Sequence, residues 1–261
     1  MKPRQYSLEQ RLVEPFRAIR SIEISSAMVI SSIFGFLGFL SLWWFGREMI
    51  FNFWIEVLNF LISITGEPWT VSQSSWPGFA NPLLALPILS ADIPPPTIIV
   101  WWSFTFFSIA LFLFSDTWRP SLLPLRATTH FVLFLLGVSL ACFAIAPTQF
   151  EHSVEEWSKV YFLGAYGSLI IYAIIWTCGV LWFPISTWVK IVVSLILLLY
   201  FLVGTPLLLF LCTLTLHFAS LLLLPLFALA IAPLLQLGWF VSFYSLALSA
   251  GSDLNKEVVL E

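Results

Sequence analysis

The sequence predicts an all-α polytopic membrane protein with about six transmembrane helices, five to seven being the range its apolar runs allow. Three observations carry this. The chain of 261 residues is 60% hydrophobic and 10% charged, against about 25% charged residues in an ordinary soluble domain. Its apolar residues fall into long uncharged runs of the length needed to cross a bilayer, roughly 20 residues for about 30 Å of hydrocarbon. Thirteen tryptophans cluster at the ends of those runs, where an apolar ring and a polar N–H both find partners at headgroup level.

The elements follow in order. Residues 1–24 read as a cytoplasmic amphipathic helix. Ser7 to Gln10 forms a capping box, in which the serine hydroxyl and the glutamine side chain each satisfy a free backbone N–H. Leu8, Leu12, Phe16, Ile19 and Ile22 make an apolar stripe, and Lys2, Arg4, Arg11, Arg17 and Arg20 a basic side. Such a helix suits an anionic lipid surface or a cytoplasmic partner. The membrane domain is expected over 25–249, followed by a cytoplasmic tail, 250–261. The first apolar run follows more than twenty polar-rich residues without an A-x-A end, so it reads as a retained anchor rather than a cleaved signal.

Spans are expected at 25–45, 97–114, 127–147 and 160–183. The last run, 191–249, has no formal charge over 59 residues. As one straight helix it would be about 88 Å long, so it must turn back once or twice. Gly204-Thr205-Pro206, His217 to Ser220, Pro225 and Pro233 are the sites where it could break.

The connection 46–96 is the least regular part. Its first portion, 46–69, is apolar enough to resemble a span, yet Glu48, Asn52, Glu56, Asn59 and Ser63 recur along it at helical spacing. Its tail from Glu67 to Pro96 holds seven of the sixteen prolines. That density reads as an irregular, rigid loop, because proline lacks the N–H that helix and interior strand need.

The positive-inside rule, by which short cytoplasmic loops are enriched in Lys and Arg, decides between crossing and surface for 46–69. If it stays at the outer surface and the last region crosses twice, nine Lys/Arg lie inside and two, Arg47 and Lys159, outside. If it crosses, the split becomes six against five. The sequence therefore predicts an outer-face interfacial helix, with Glu48, Asn52, Glu56 and Asn59 turned to water or a partner. Both termini lie in the cytoplasm, in what is most simply a bacterial inner membrane.

Residues able to carry chemistry are sparse. No Asp, Glu, Lys or Arg lies inside an expected span, which leaves His130 and His217 as weak candidates for holding a cofactor. They are expected at opposite faces, so no cofactor is predicted. His152, Glu155 and Glu156 could hold a metal. The simpler reading is a second capping box, Ser153 to Glu156, with an i, i+4 pair of Glu155 and Lys159. Cys142, Cys178 and Cys212 sit in apolar runs without C-x-x-C spacing and read as buried thiols. Ser31 with Gly35, and Gly164 with Ser168, fit the small-xxx-small pattern of helix contacts. The G-x-S-x-G, H-E-x-x-H, GxxxxGK[ST] and GxGxxG motifs are absent from the chain.

A non-enzymatic membrane subunit of a larger assembly is the function these features favour, in contact with lipid and other membrane subunits. Nucleic acid is not expected, since the only basic stripe is N-terminal. Two alternatives stand beside it: a transporter or permease for an apolar or lipid-like substrate that uses the broken C-terminal helices, and a membrane enzyme that uses the acidic 151–156 loop.

Overall fold

A computed structural model describes residues 26–75, 85–118, 123–145, 153–179 and 187–258. The expected N-terminal helix and its capping box lie outside these residues. The elements in chain order are α1 (Ser26–Phe45), α2 (Arg47–Thr65), β1 (Thr70–Ser75), β2 (Ala85–Ser90), α3 (Ile98–Ser115), α4 (Leu123–Ile145), α5 (Val154–Gly179), α6 (Thr187–Leu199), α7 (Thr205–Ala219), α8 (Leu224–Leu226) and α9 (Ala232–Val258). A π-helical turn, Tyr200–Gly204, joins α6 to α7, and a second, Phe227–Ile231, joins α8 to α9. The chain is an all-α polytopic membrane protein.

Side-chain contacts fix the direction of every span. On α1 and α5, Ser32 meets Thr177 and Trp43 meets Tyr166, so the two run antiparallel. Trp176 meets Ser194, and Tyr161 meets Thr205, so α5 and the α6–α7 rod are also antiparallel. The rod reverses at Ser220, and Phe240 of α9 returns to Val193 and Leu197 of α6. Trp101 meets Leu140, and Ser115 meets His130, which makes α3 and α4 an antiparallel pair. Ser139 meets Leu222, and Leu135 packs with Leu226 and Ala230, which sets α4 against α8. Six crossings therefore alternate, and the chain enters α1 and leaves α9 at one end of the bundle. The run 191–249 crosses twice, not three times.

By length and apolarity alone α2 is also a candidate span. Its connection to α1 shows that it adds no crossing. Gly46 donates its N–H to Leu42 at 2.9 Å and its carbonyl accepts from Ile50 at 2.9 Å, so helical bonding runs through the junction without a loop. The contacts continue along α5 in one sense, Trp43 to Tyr166 and then Trp54 to Phe162. Forty residues in one direction correspond to about 60 Å, twice the hydrocarbon thickness. The junction bends, and glycine is required there, because a β-carbon on Gly46 would stand 2.5 Å from the Leu42 carbonyl oxygen. At its other end α2 stops on Gly66, whose left-handed φ of 71° suits only glycine at a C-cap.

Part of the proline-rich tail is more regular than the loop expected, while residues 91–97 have no regular structure. Strands β1 and β2 form an antiparallel hairpin in which Gln73 faces Pro87 and Val71 faces Leu89. Proline is tolerated because only two strands pair. Leu89 turns its N–H away from β1 to the Ser158 hydroxyl of α5, at 3.1 Å. Pro87, two residues earlier, shares that outward direction, so its missing N–H costs no ladder bond.

Nor does Gly204-Thr205-Pro206 break the helix. The rod continues from Thr187 to Ala219, and the local change is the π turn ending at Gly204. The second π turn likewise ends one residue before an X-Pro pair, Ala232-Pro233. Proline lacks one N–H and crowds the carbonyl four residues back. A wider turn just before it relieves that crowding and keeps the rod intact. Glycine is needed at 204, since a β-carbon there would lie 2.5 Å from the Tyr200 ring.

Candidate functional site

The densest buried region lies at the hairpin end of the bundle. It is built from α2, the hairpin, the first half of α5, α7 and the α8–α9 turn. Its centre is Trp54, fully buried, with Phe162 stacked at 5.0 Å and Phe201 tilted at 5.4 Å. Ile50, Phe51, Trp54 and Leu58 form the buried face of α2. The opposite face stays open: Glu48, Asn52, Glu56, Asn59 and Ser63 are all exposed. Asn52 accepts a hydrogen bond from Gln73 of the hairpin at 3.3 Å. Beside this polar stripe stand the exposed apolar residues Met49, Phe60 and Ile64. The segment is one helix with a buried apolar face and an exposed face that mixes polar and apolar side chains.

At the base of the hairpin the fold assembles a group that no local signal announces. Glu67, just beyond the α2 cap, brings Oε2 to 3.8 Å from Nε2 of His217 in the last turn of α7. Trp69 lies edge-on to His217 at 5.8 Å and packs on Phe210 at 5.5 Å. The Nδ1 atom of His217 is buried without a hydrogen-bond partner.

His130 belongs to a separate group at the far end of the α3–α4 pair. Its Nε2 is 2.8 Å from the Ser115 hydroxyl. That hydroxyl is also 2.7 Å from the Phe112 carbonyl of its own helix. Ser115 is fully buried, and its contact with His130 ties the two helices together. Asp116 and Arg126 pair beside it. The two histidines therefore have different partners at different ends of the fold.

A third polar group lies between the spans. Tyr161 donates to the Thr205 carbonyl at 3.1 Å and accepts from Gln236 at 3.3 Å. It joins α5, α7 and α9 next to the first π turn. An adjoining cleft, walled by Phe39, Tyr172, Tyr200 and Phe240, holds about 10 Å³, the space of about one water.

The remaining expected residues fall as follows. Glu151 and His152 lie outside the described residues. Ser153 caps α5 by accepting the Glu156 N–H at 3.2 Å, and Glu155 pairs with Lys159 at 3.0 Å. Gly164 is exposed, and a β-carbon on it would meet nothing within 4 Å. Ser168 bonds back to Ala165. Gly35 is half-buried, while the side chain of Ser31 lies outside what is described. The contact between α1 and α5 is made instead by Ser32 and by reciprocal bonds of Trp43 and Tyr166. No family model, curated protein or solved structure matches the chain.

Proposed function

We propose that the protein is a non-enzymatic integral membrane subunit that docks a partner on the outer face of α2. The hairpin end would face outward and both termini the cytoplasm of a bacterial inner membrane. The supporting observation is the asymmetry of α2. Its buried face is locked into the aromatic core, while Glu48, Glu56, Asn59 and Ser63 remain exposed beside Met49, Phe60 and Ile64. A rigid surface that mixes apolar and polar groups suits protein contact better than lipid alone, because Glu48 and Glu56 would be desolvated at a cost in hydrocarbon. The orientation rests on charge. The hairpin end carries Arg47 and Lys159, and with that end outward the other nine Lys/Arg of the sequence would fall on the cytoplasmic side.

The test is a photo-crosslinking amino acid at position 56 or 59, followed by native mass measurement after mild-detergent extraction from the source membrane. A crosslinked second polypeptide and a mass above 29.6 kDa are expected. A monomer crosslinked only to lipid would overturn the reading. A membrane-impermeant thiol reagent applied to a cysteine at position 60 tests the orientation: labelling only from the cytoplasmic side would reverse it.

A further inference from the structure

We propose that the open edge of β1 takes an extended segment of the partner polypeptide as a third strand, with Lys or Arg side chains of that segment laid against the acidic stripe of α2. This rests on the docking proposed above and states the form the partner takes there.

The direction of the β1 backbone carries the proposal. In an antiparallel pair, facing residues either exchange both of their hydrogen bonds or turn their backbone groups away from each other. Leu89 gives its N–H to Ser158 of α5 at 3.1 Å. Val71, which faces it, therefore turns its N–H and C=O away from β2. Gln73, two residues on and opposite Pro87, does the same. On β2 the outer edge lies against α5. On β1 it is open. No hydrogen bond among the described residues uses the Val71 or Gln73 backbone, and Thr70, Ser72 and Gln73 are exposed.

Unpaired edges are ordinarily guarded by a charged side chain, a proline or a bulge. Strand β1 has none of these. Thr-Val-Ser-Gln-Ser-Ser is uncharged and free of proline, and it pairs in unbroken register along its whole length. Outward donors and acceptors at strand spacing are complementary to another extended backbone.

Charge selects the occupant. The Gln73 amide donates to Asn52 at 3.3 Å, so this side of β1 is turned to the polar stripe of α2. Glu48 and Glu56 stand about one helical turn to either side of Asn52, and both are exposed. A third strand would turn alternate side chains to that same side, where Lys or Arg would meet the two carboxylates. The rest of this end is acidic too. Glu67, Asp92, Glu155 and Glu156 stand against Arg47 and Lys159 among the described residues, and Lys159 is paired with Glu155. By sequence, the connection from β1 to β2 carries no charged residue, and that from α4 to α5 adds Glu151 and His152. A second copy of this chain would bring another Glu48 and Glu56 to the same place, and like charges oppose that pairing.

Residue-resolved hydrogen exchange tests the strand, comparing the assembly extracted in mild detergent with the chain alone in lipid nanodiscs. The Val71 and Gln73 amides should exchange about tenfold more slowly in the assembly, the scale of one hydrogen bond. Ser72, whose N–H already points to β2, should change less. Equal rates at 71 and 73 would overturn the proposal. A photo-crosslinking residue at position 72 should join a Lys- or Arg-bearing segment of a second polypeptide. Joining to lipid alone, to a second copy of this chain or to a segment without basic residues would overturn the assignment. Gln73→Pro removes the outward N–H and Gln73→Ala keeps it, so the crosslinking yield should fall about tenfold further in the first. Equal yields would count against strand pairing, and the exchange comparison decides if Gln73→Pro fails to fold. Glu48→Gln together with Glu56→Gln should lower the yield about threefold, the scale of exposed ion pairs; an unchanged yield would sink the basic partner. Crosslinking at position 56 with unchanged exchange at 71 and 73 would sink the strand and leave the docking of α2 standing. No crosslinked polypeptide at either position would sink both.

Discussion

The hairpin end and the α3–α4 pair are built on opposite plans. At the hairpin end, α2, two strands and three further helices enclose Trp54, Phe162, Phe201 and Leu209 as a soluble protein encloses its core. In the α3–α4 pair, α4 buries Leu136, Leu140 and Phe143 with Leu222, but α3 is almost all surface. Along α3 only Ser115 is buried, and Ile98, Trp102, Phe106, Phe107, Leu113 and Phe114 are exposed. Hydrocarbon solvates such a helix as well as another helix does, so little apolar force holds it. Directed polar links take over. Trp101 donates to the Leu140 carbonyl at 3.0 Å, Ser115 meets His130 at 2.8 Å and Ser139 donates to the Leu222 carbonyl at 2.7 Å. The hairpin end is held by packing throughout, whereas α3 is held by the partly buried Val100, Trp101 and Phe104 and by a few hydrogen bonds, and substitutions should separate the two.

Trp54→Ala should have the largest effect. Removing a fully buried indole stacked on Phe162 is expected to cost about 3–5 kcal/mol, seen as a fall in unfolding midpoint in detergent together with loss of protection in the hairpin. Trp102→Ala on α3 should stay within about 0.5 kcal/mol. Equal losses in the two variants would break the contrast.

Gly204→Ala comes next. The new methyl would meet the Tyr200 ring, which Trp239 and Phe243 confine. Overpacking of this kind costs about 1–3 kcal/mol, and Gly204→Ala should cost less in a Tyr200→Ala background than in the native chain. Additive losses in thermal unfolding would show that the ring is not the obstacle. Ser158→Ala strips the Leu89 N–H of its partner. An unsatisfied buried donor costs about 1–3 kcal/mol, and exchange at Leu89 should rise more than at Val71 opposite it. A smaller loss is expected from Ser139→Ala, about 0.6 kcal/mol as for an average interhelical bond in a membrane. It should loosen α4 from the reversal and leave the hairpin end unchanged.

The spans were legible because each is a long apolar run, and the return of 191–249 was legible because 59 uncharged residues exceed any bilayer. The place of the return was harder. Gly204-Thr205-Pro206 carries the stronger helix-breaking composition, yet a π turn absorbs it, while the reversal falls at Ser220, whose hydroxyl accepts the Leu222 N–H at 3.2 Å. The hairpin was hidden by its prolines, since only the pairing shows that Pro87 sits on an edge that needs no donor from it. The burial of α2 along Ile50, Trp54 and Leu58 agrees with the stripe opposite it, which periodicity revealed. Glu67 and His217 left no trace. Their meeting depends on a bend at Gly46, a cap at Gly66 and the length of the α6–α7 rod, none of which is local to either residue.

The π turn at Tyr200–Gly204 carries a consequence for how this sequence can vary. Buried positions along the rod recur every four residues, Val193, Leu197, Phe201, Thr205, Leu209 and Thr213. A regular α-helix advances about 100° per residue, so an unbroken spacing of four would carry that row around the helix and out of the interior. One wide turn resets the phase. Deleting a single residue from the regular helix beside it would rotate everything downstream by about 100°, and Tyr161, Trp69 and Glu67 would face the wrong side of α7. Exchanging one side chain disturbs a neighbourhood, but changing the residue count changes the angular address of the whole half of the rod nearest the hairpin.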